Sequence, residues 1–396
     1  MTLRLTEEQL EIRALAREFS LGEIRPHAPT WDARRALDPG IFEKLGELGF
    51  LGMRVPETHG GLGLDLVTYL LVLEELSWGD AAVALAVAIH SGPVTRLLLR
   101  YGSEDQKSRY LPAMASGETL GAFALSEAGA GSDARALETV ARRDGSDWVI
   151  SGTKKWVTNG QRAGLVLLFA REEEGDAIHA FLVERGVPGL TIGKRELTMG
   201  VSALDTVALE LDEVRLPGEA LLGREGAGFD YAKEALDVGR LGVAAQALGI
   251  GRAAREHAQA YANERVQFGR TLAEFQATRF KLAGMATRLE AARSLTLSGA
   301  LAMEDEDEST TQETGPRIDP ESPSVRSRAA MAKLTASEGA IWIADEAVQI
   351  FGGYGYMRDY PVEKLLRDAK GTEIYEGTNE IMRLVIAREL LRGGRA

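Results

Sequence analysis

Arg367–Arg383 reads RDAKGTEIYEGTNEIMR, and the interpretation of the whole chain turns on it. One carboxylate, Glu376, sits between an aromatic residue, Tyr375, and Gly377. Thr378, Asn379 and Glu380 then supply the cap of a helix whose apolar residues are Ile381, Leu384, Val385, Ala387 and Leu390. Gly377 has no side chain, so a ligand can approach the backbone there. A carboxylate on such a turn is a candidate base, aimed at whatever binds above the helix N-terminus. Taken alone, a surface glutamate is the plainer reading, because Glu is seldom buried.

The surrounding chain narrows the possibilities. Its 396 residues, 45% hydrophobic and 27% charged, suit a soluble protein of two or three domains. A net charge of −13 argues against nucleic acid as a partner, since phosphates need a basic face. Cysteine is absent, which excludes disulfides and thiolate chemistry. His27, His59, His90, His179 and His257 are scattered without ligand spacing, so no metal is expected. The N-terminus lacks a targeting pattern and is already a helix. Thr6 to Gln9 reads as a capping box, followed by Leu10, Leu15 and Phe19. No apolar run reads as a membrane span, so a cytoplasmic protein without membrane insertion is expected.

Residues 1–115 read as an N-terminal helical domain. Asp38-Pro39 caps one helix, apolar helices cover 64–77 and 81–90, and a second capping box runs from Ser103 to Gln106. Over 116–227 the pattern changes to short β runs without helices between them, which suggests an antiparallel β-barrel or sandwich. Residues 228–396 return to long amphipathic segments near 229–262, 276–303, 325–350 and 380–392, predicting a C-terminal four-helix bundle. The class is therefore α+β multidomain. Within the bundle, 304–325 (EDEDESTTQETGPRIDPESPSV) is acidic and nearly free of apolar residues, which predicts a mobile loop.

Four more stretches carry possible chemistry. Phe123–Asp133, FALSEAGAGSD, ends a β run in small residues whose backbone N–H groups suit a flat ring's polar edge or a pyrophosphate; a glycine-rich turn explains it equally well. Lys154–Gly160, KKWVTNG, sets Trp156 and Thr158 on alternate strand positions, although without context Trp156 reads as core. Arg265–Gly269, RVQFG, with Gln276 beyond, offers a guanidinium fork beside an aromatic ring, or a structural salt bridge. Val348–Tyr356, VQIFGGYGY, closes a helix with glycines, as C-capping alone would require.

In this order, on a helix–β–helix background, these strings resemble the acyl-CoA dehydrogenase family over nearly the whole chain. The most specific are LSEAGAGSD, KKWVTNG, RVQFG, QIFGGYGY and IYEGTNEI, and Leu236–Gly242 (LDVGRLG) is most like the short-chain, butyryl-CoA members. The resemblance implies FAD between the β domain and the bundle. Ser126, Trp156 and Thr158 would meet the isoalloxazine, with Phe123, Leu125, Gly131, Ser132 and Val157 from the same strings. Arg265, Phe268 and Gln276, with Gln349, Ile350, Phe351, Gly352 and Gly353, would hold the pyrophosphate and adenosine across a subunit contact. Thr378, Asn379 and Glu380 would complete the flavin site.

For the substrate, the resemblance implies an acyl-CoA thioester whose arm lies along Asp237, Val238, Gly239 and Arg240, with Ser132 and Gly377 nearby. Glu376 would take the α proton while the β hydride passes to flavin. A trans-2-enoyl-CoA would result, with an electron-transferring flavoprotein as acceptor and a homotetramer as the assembly. Some relatives carry the base at the position of Gly239, so here Glu376 has no competitor. Ser126 and Ala128 stand where Thr and Pro are commoner. A decarboxylating, dicarboxylic relative would need a cation near the acyl tail; 81–89 has none, while Arg96 and Arg100 leave that open. An oxygen-reactive flavin enzyme and a non-catalytic flavin-binding protein are the alternatives.

Overall fold

A computed structural model describes residues 4–311 and 323–393. Seven helices lead the chain: α1 (Glu7–Phe19), α2 (Ala28–Arg34), α3 (Gly40–Glu47), α4 (Leu66–Gly79), α5 (Ala81–Ile89), α6 (Thr95–Tyr101) and α7 (Glu104–Ser116). Both expected capping boxes, at Thr6 and Ser103, are formed. On α1, however, Leu10 and Leu15 are exposed, and the buried face is Ala16 and Phe19. Asp38 gives α3 no side-chain cap. Contrary to expectation, Ala81–Tyr101 is long and apolar enough to cross a membrane by length and composition. Its most apolar window is 89% buried inside the protein, as in the core helix of a globular fold.

The middle of the chain forms β1 (Gly121–Ala124), β2 (Val140–Asp144), β3 (Asp147–Thr158), β4 (Leu165–Glu172), β5 (Ile178–Glu184), β6 (Leu190–Arg195) and β7 (Thr206–Leu216). The expected antiparallel barrel is not what they build. β1 and β2 both pair with β4 in parallel, while β2–β3, β3–β7, β4–β5 and β6–β7 are antiparallel. Among the described residues no ladder joins β5 to β6, so the sheet is mixed and open. The β2–β3 hairpin between β1 and β4 acts as the crossover that a parallel pair needs. Strand spacing alone does not reveal such a crossover.

The last part begins with α8 (Gly228–Glu264), then a short hairpin, β8 (Val266–Gln267) and β9 (Arg270–Thr271). α9 (Gln276–Thr311), α10 (Val325–Phe351), α11 (Pro361–Thr372) and α12 (Asn379–Gly393) follow. α8, α9 and α10 pack together, and α4 from the N-terminal part lies against α8. That approach is close: a Cβ on Gly249 would sit 2.5 Å from the Glu74 carbonyl oxygen. The four-helix expectation therefore missed α11, a short helix opened by Pro361 that packs on α8 and α10. It also missed α4 as a bundle partner.

The acidic segment corrects the expectation of a loop as far as it is described. Glu304–Thr311 continue α9, and Val325 already opens α10 behind the N-cap Ser324. Residues 312–322 lie outside the described residues. Composition misled here because the carboxylates have partners. Glu304 accepts from the Leu66 N–H and lies 3.6 Å from Arg54. Asp307 accepts a two-pronged bond from Arg96, both contacts at 2.8 Å. Tertiary ion pairs outweigh a local preference for solvent.

Candidate active site

The turn between α11 and α12 is anchored from several sides. Arg367 pairs with Asp32 and Glu363, each at 2.7 Å. Asp368 accepts from the Val201 N–H at 2.5 Å, and Lys364 bridges Asp368 and Asp80 at 2.6 and 2.9 Å. The α11 end is thus tied to α2, to the loop before β7 and to the α4–α5 junction. Beyond it Glu376 (φ 55°) and Gly377 (φ 89°) are both left-handed. For a non-glycine residue this conformation costs about 1–2 kcal/mol, so the surroundings must hold it. Asn379 N–H donates to the Glu373 carbonyl at 3.0 Å, and Tyr375 Oη to Gln246 Oε1 at 2.9 Å. From α10, the fully buried Lys333 donates to the Gly377 carbonyl and to Asn379 Oδ1, both at 2.8 Å. Ser337 Oγ donates to the same Asn379 oxygen at 3.0 Å. Neither Lys333 nor Ser337 was foreseen from sequence.

This frame lays the Glu376 carboxylate on α8 over Gly239, where a Cβ would lie 2.9 Å from the carboxyl carbon. Glu376 Oε2 is enclosed and has no hydrogen-bond partner among the described residues. Burial raises its pKa to about 7, against the opposing pull of Arg240 and Lys333. The result is a carboxylate more basic than an ordinary one, seated in the room that Gly239 leaves beside α8.

Asp237 and Arg240 are buried on one face of α8, joined at 2.6 Å. Arg326 of α10, absent from the expected set, adds a 3.0 Å bond to Asp237. Val238 turns to a cavity of about 310 Å³ between α4, α6 and α8.

The loop after β1 is fixed to β3 by a buried pair also missed from sequence. Lys154 Nζ reaches Glu127 at 2.6 Å and the Leu125 carbonyl at 3.1 Å. Glu127 further accepts from Thr139 N–H (3.0 Å), Thr139 Oγ1 (2.6 Å) and Glu138 N–H (2.6 Å). Lys155 N–H donates to the Ser126 carbonyl at 2.9 Å. Between Lys154 and Val157 the β3–β7 register slips, and there Trp156 takes φ 57°. A bulge re-aims a side chain, and Trp156 is 54% exposed, which overturns its reading as core. Thr158, two residues on, and Ser126 of the loop after β1 are half-buried, and Gly131 and Ser132 are exposed. Leu125 and Val157 are buried, and Phe123 packs on Phe169 at 5.2 Å, so these three support the loop from the core.

A second group surrounds the far end of α8. Phe268 (φ 52°) and Gly269 (φ 79°) form the hairpin tip, a primed-turn geometry in which both residues are left-handed. It presents Phe268 94% exposed. Arg265, Gln267, Ile350, Gly352, Gly353 and Tyr354 line a groove of about 530 Å³. Phe351 stacks on Tyr261 at 4.1 Å and forms the groove's floor. Gln276 and Gln349 are exposed at helix ends, as is Glu380, whereas Asn379 is buried and Thr378 half-buried. An exposed indole, a glycine-rich loop, a free aromatic tip and an arginine-lined groove suit a flat ring joined to a pyrophosphate. Yet Arg265 lies 26 residues along α8 from Gly239, about 39 Å at 1.5 Å per residue.

Three family descriptions match the chain. They are the N-terminal domain of acyl-CoA dehydrogenase at residues 6–118, its middle domain at 122–214 and its C-terminal domain at 226–391. The chain is similar to an acyl-CoA dehydrogenase of Bacillus subtilis, 44% identical over 394 residues, covering 99% of this chain and 100% of that one. The mitochondrial short-chain specific acyl-CoA dehydrogenase of Bos taurus is 42% identical over 398 residues, covering 100% and 93%. Among solved structures, butyryl-CoA dehydrogenase from Megasphaera elsdenii superposes with a TM-score of 0.92 at 39% identity, covering 99% and 100%.

Proposed function

The chain belongs to the acyl-CoA dehydrogenase family, whose members are FAD-dependent oxidoreductases, and we propose that it oxidises a short-chain acyl-CoA thioester to the trans-2-enoyl-CoA with Glu376 as base. The observation that carries this reading is the enclosed, unpartnered Oε2 of Glu376 above Gly239. An α C–H beside a thioester is too weak an acid for an ordinary carboxylate in water. Burial here makes the carboxylate a better acceptor, with its pKa near 7. The backbone N–H of Glu376 donates to the thioester oxygen, so negative charge developing there is met by a fixed dipole. Gly239 keeps α8 from crowding the carboxylate and offers no rival base. Asp237 and Arg240, braced by Arg326, line the path of the CoA arm. FAD, when bound, supplies the two-electron acceptor for the β hydrogen.

Trp156, Ser126, Thr158 and Thr378 would hold the flavin ring, and Arg265 with Gly352 and Gly353 would hold pyrophosphate. The distance along α8 supports a shared site, because one dinucleotide does not span it within a single chain. The second group then serves the cofactor of a neighbouring copy in a homotetramer. Exposed Phe268, Phe280, Tyr356, Leu384, Leu390 and Leu391 fit burial between copies. Residues 1–115, 116–227 and 228–396 are the proposed domains, and an electron-transferring flavoprotein is the proposed acceptor. The names of the short-chain and butyryl-CoA relatives support the substrate length. Anaerobic mixing of the yellow holoenzyme with acyl-CoAs of graded length tests the proposal. Flavin bleaching should be fastest with short unbranched chains, and absence of bleaching by every ester would overturn it.

A further inference from the structure

The acidic end of α9 takes no part in the chemistry at Glu376, yet through Asp307 it lines the cavity that Val238 of α8 also lines. Val238, the neighbour of Gly239, and Tyr69 line one side of that cavity. The Tyr69 hydroxyl would lie 3.1 Å from a Cβ on Gly92 and donates to the Ala88 carbonyl at 3.2 Å. The opposite wall is charged and consists of Arg96, Arg100 and Asp307, with Arg54 beside them.

Every cation on that wall is engaged. Asp307 takes both Nη atoms of Arg96 at 2.8 Å and Nη1 of Arg100 at 2.7 Å. Glu234 takes Arg96 Nε at 3.0 Å and faces Arg100 Nε at 3.4 Å. Arg54 faces Glu304 and donates to the Leu64 carbonyl at 2.9 Å. Three arginines thus meet three carboxylates, and the wall is polar but carries no net charge.

We propose that Asp307 is a specificity determinant: by filling the guanidinium fork of Arg96 and taking Nη1 of Arg100 it makes the cavity accept acyl chains with an uncharged end and refuse those ending in a carboxylate. The proposal rests on the reading that the acyl chain enters this cavity. A terminal carboxylate there finds both Nη groups of Arg96 and Nη1 of Arg100 already bonded to Asp307 and lies against Asp307 itself, so like charges meet. Neutralising Asp307 at constant shape frees the Nη fork of Arg96, suited to bidentate carboxylate binding, and Nη1 of Arg100 beside it.

The test uses the FAD-loaded enzyme and two measurements. The first is the inhibition constant of glutaryl-CoA against butyryl-CoA oxidation, divided by the KM of butyryl-CoA. Asp307→Asn should lower this ratio at least tenfold, and adding Arg96→Met should cancel the gain. The second is the hexanoyl-to-butyryl ratio of kcat/KM in Leu99→Phe, which fills the cavity from α6; that ratio should fall several-fold. If Leu99→Phe shifts the chain-length profile while Asp307→Asn leaves the glutaryl ratio unmoved, the proposal fails and the cavity reading stands. If neither ratio moves, the cavity does not receive the acyl chain and both fall. Should Asp307→Asn not fold, Glu234→Gln releases Arg96 Nε and carries the same directional expectation.

Discussion

Lys333→Met removes the most heavily used support of the Glu376 turn. Two bonds of 2.8 Å from an ammonium are lost, leaving the Gly377 carbonyl and Asn379 Oδ1 without that donor. Hydrogen bonds to charged groups contribute about 1.5–3 kcal/mol each. Part of this is offset, because burial has already lowered the Lys333 pKa to about 7 and the charged form is poorly solvated. A net destabilisation of about 2–4 kcal/mol follows. The larger effect is on rate. With its tether gone, the left-handed Glu376 relaxes, and a displacement of about 1 Å costs on the order of 100-fold. The charge matters as well. Lys333 pulls the Glu376 pKa down, so its removal should move the alkaline-rising limb of flavin reduction above its wild-type position near pH 7. Stopped-flow reduction by butyryl-CoA across pH 5.5–9 (~0.5-unit steps), with FAD content measured on the same samples, reads both effects. Lys333→Arg should restore the limb in part. A Met variant that retains FAD, reduces within twofold of wild type and shows an unshifted limb would refute the argument.

Three further outcomes follow from the site. In the wild-type enzyme, flavin reduction should rise with pH through about 7 and then level, because Glu376 acts only when deprotonated; a flat profile across that range would exclude it as the titrating base. Gly239→Ala should slow reduction by on the order of tenfold or more while FAD stays bound, since the new methyl meets the Glu376 carboxyl carbon at 2.9 Å; this is checked by stopped-flow. Arg265→Ala should weaken FAD retention several-fold through loss of a charge-assisted fork, as read by flavin content after gel filtration; unchanged retention would remove Arg265 from the cofactor site.

The sequence carried the site where chemistry is written in short strings, and concealed it where chemistry depends on distant partners. Glu376 beside Gly377 was legible because a turn before a capped helix is a local pattern. Its support by Lys333 and Ser337, some forty residues earlier on α10, leaves no mark in spacing. Lys154 and Glu127 were quoted within their strings, yet nothing local shows that they meet in the interior. Trp156 reads as core because a large aromatic without context usually is; the register slip between Lys154 and Val157, which no local pattern shows, turns it outward instead. The parallel pairing of β1 with β4 is a property of topology that strand composition does not encode. For 304–311 the composition pointed toward solvent. Arg54, Arg96 and Arg100, more than two hundred positions away, reverse that preference.

The central claim, that Glu376 is the sole α-proton base, is tested most directly by Glu376→Gln in anaerobic stopped-flow with butyryl-CoA. The glutamine keeps the shape and lies in the same enclosed position, so FAD and thioester should bind as before, the latter seen as a perturbation of the flavin spectrum. Flavin reduction should then fall by orders of magnitude at every pH, with no limb near 7. Near-normal reduction with intact binding would contradict the account and place the base on another residue.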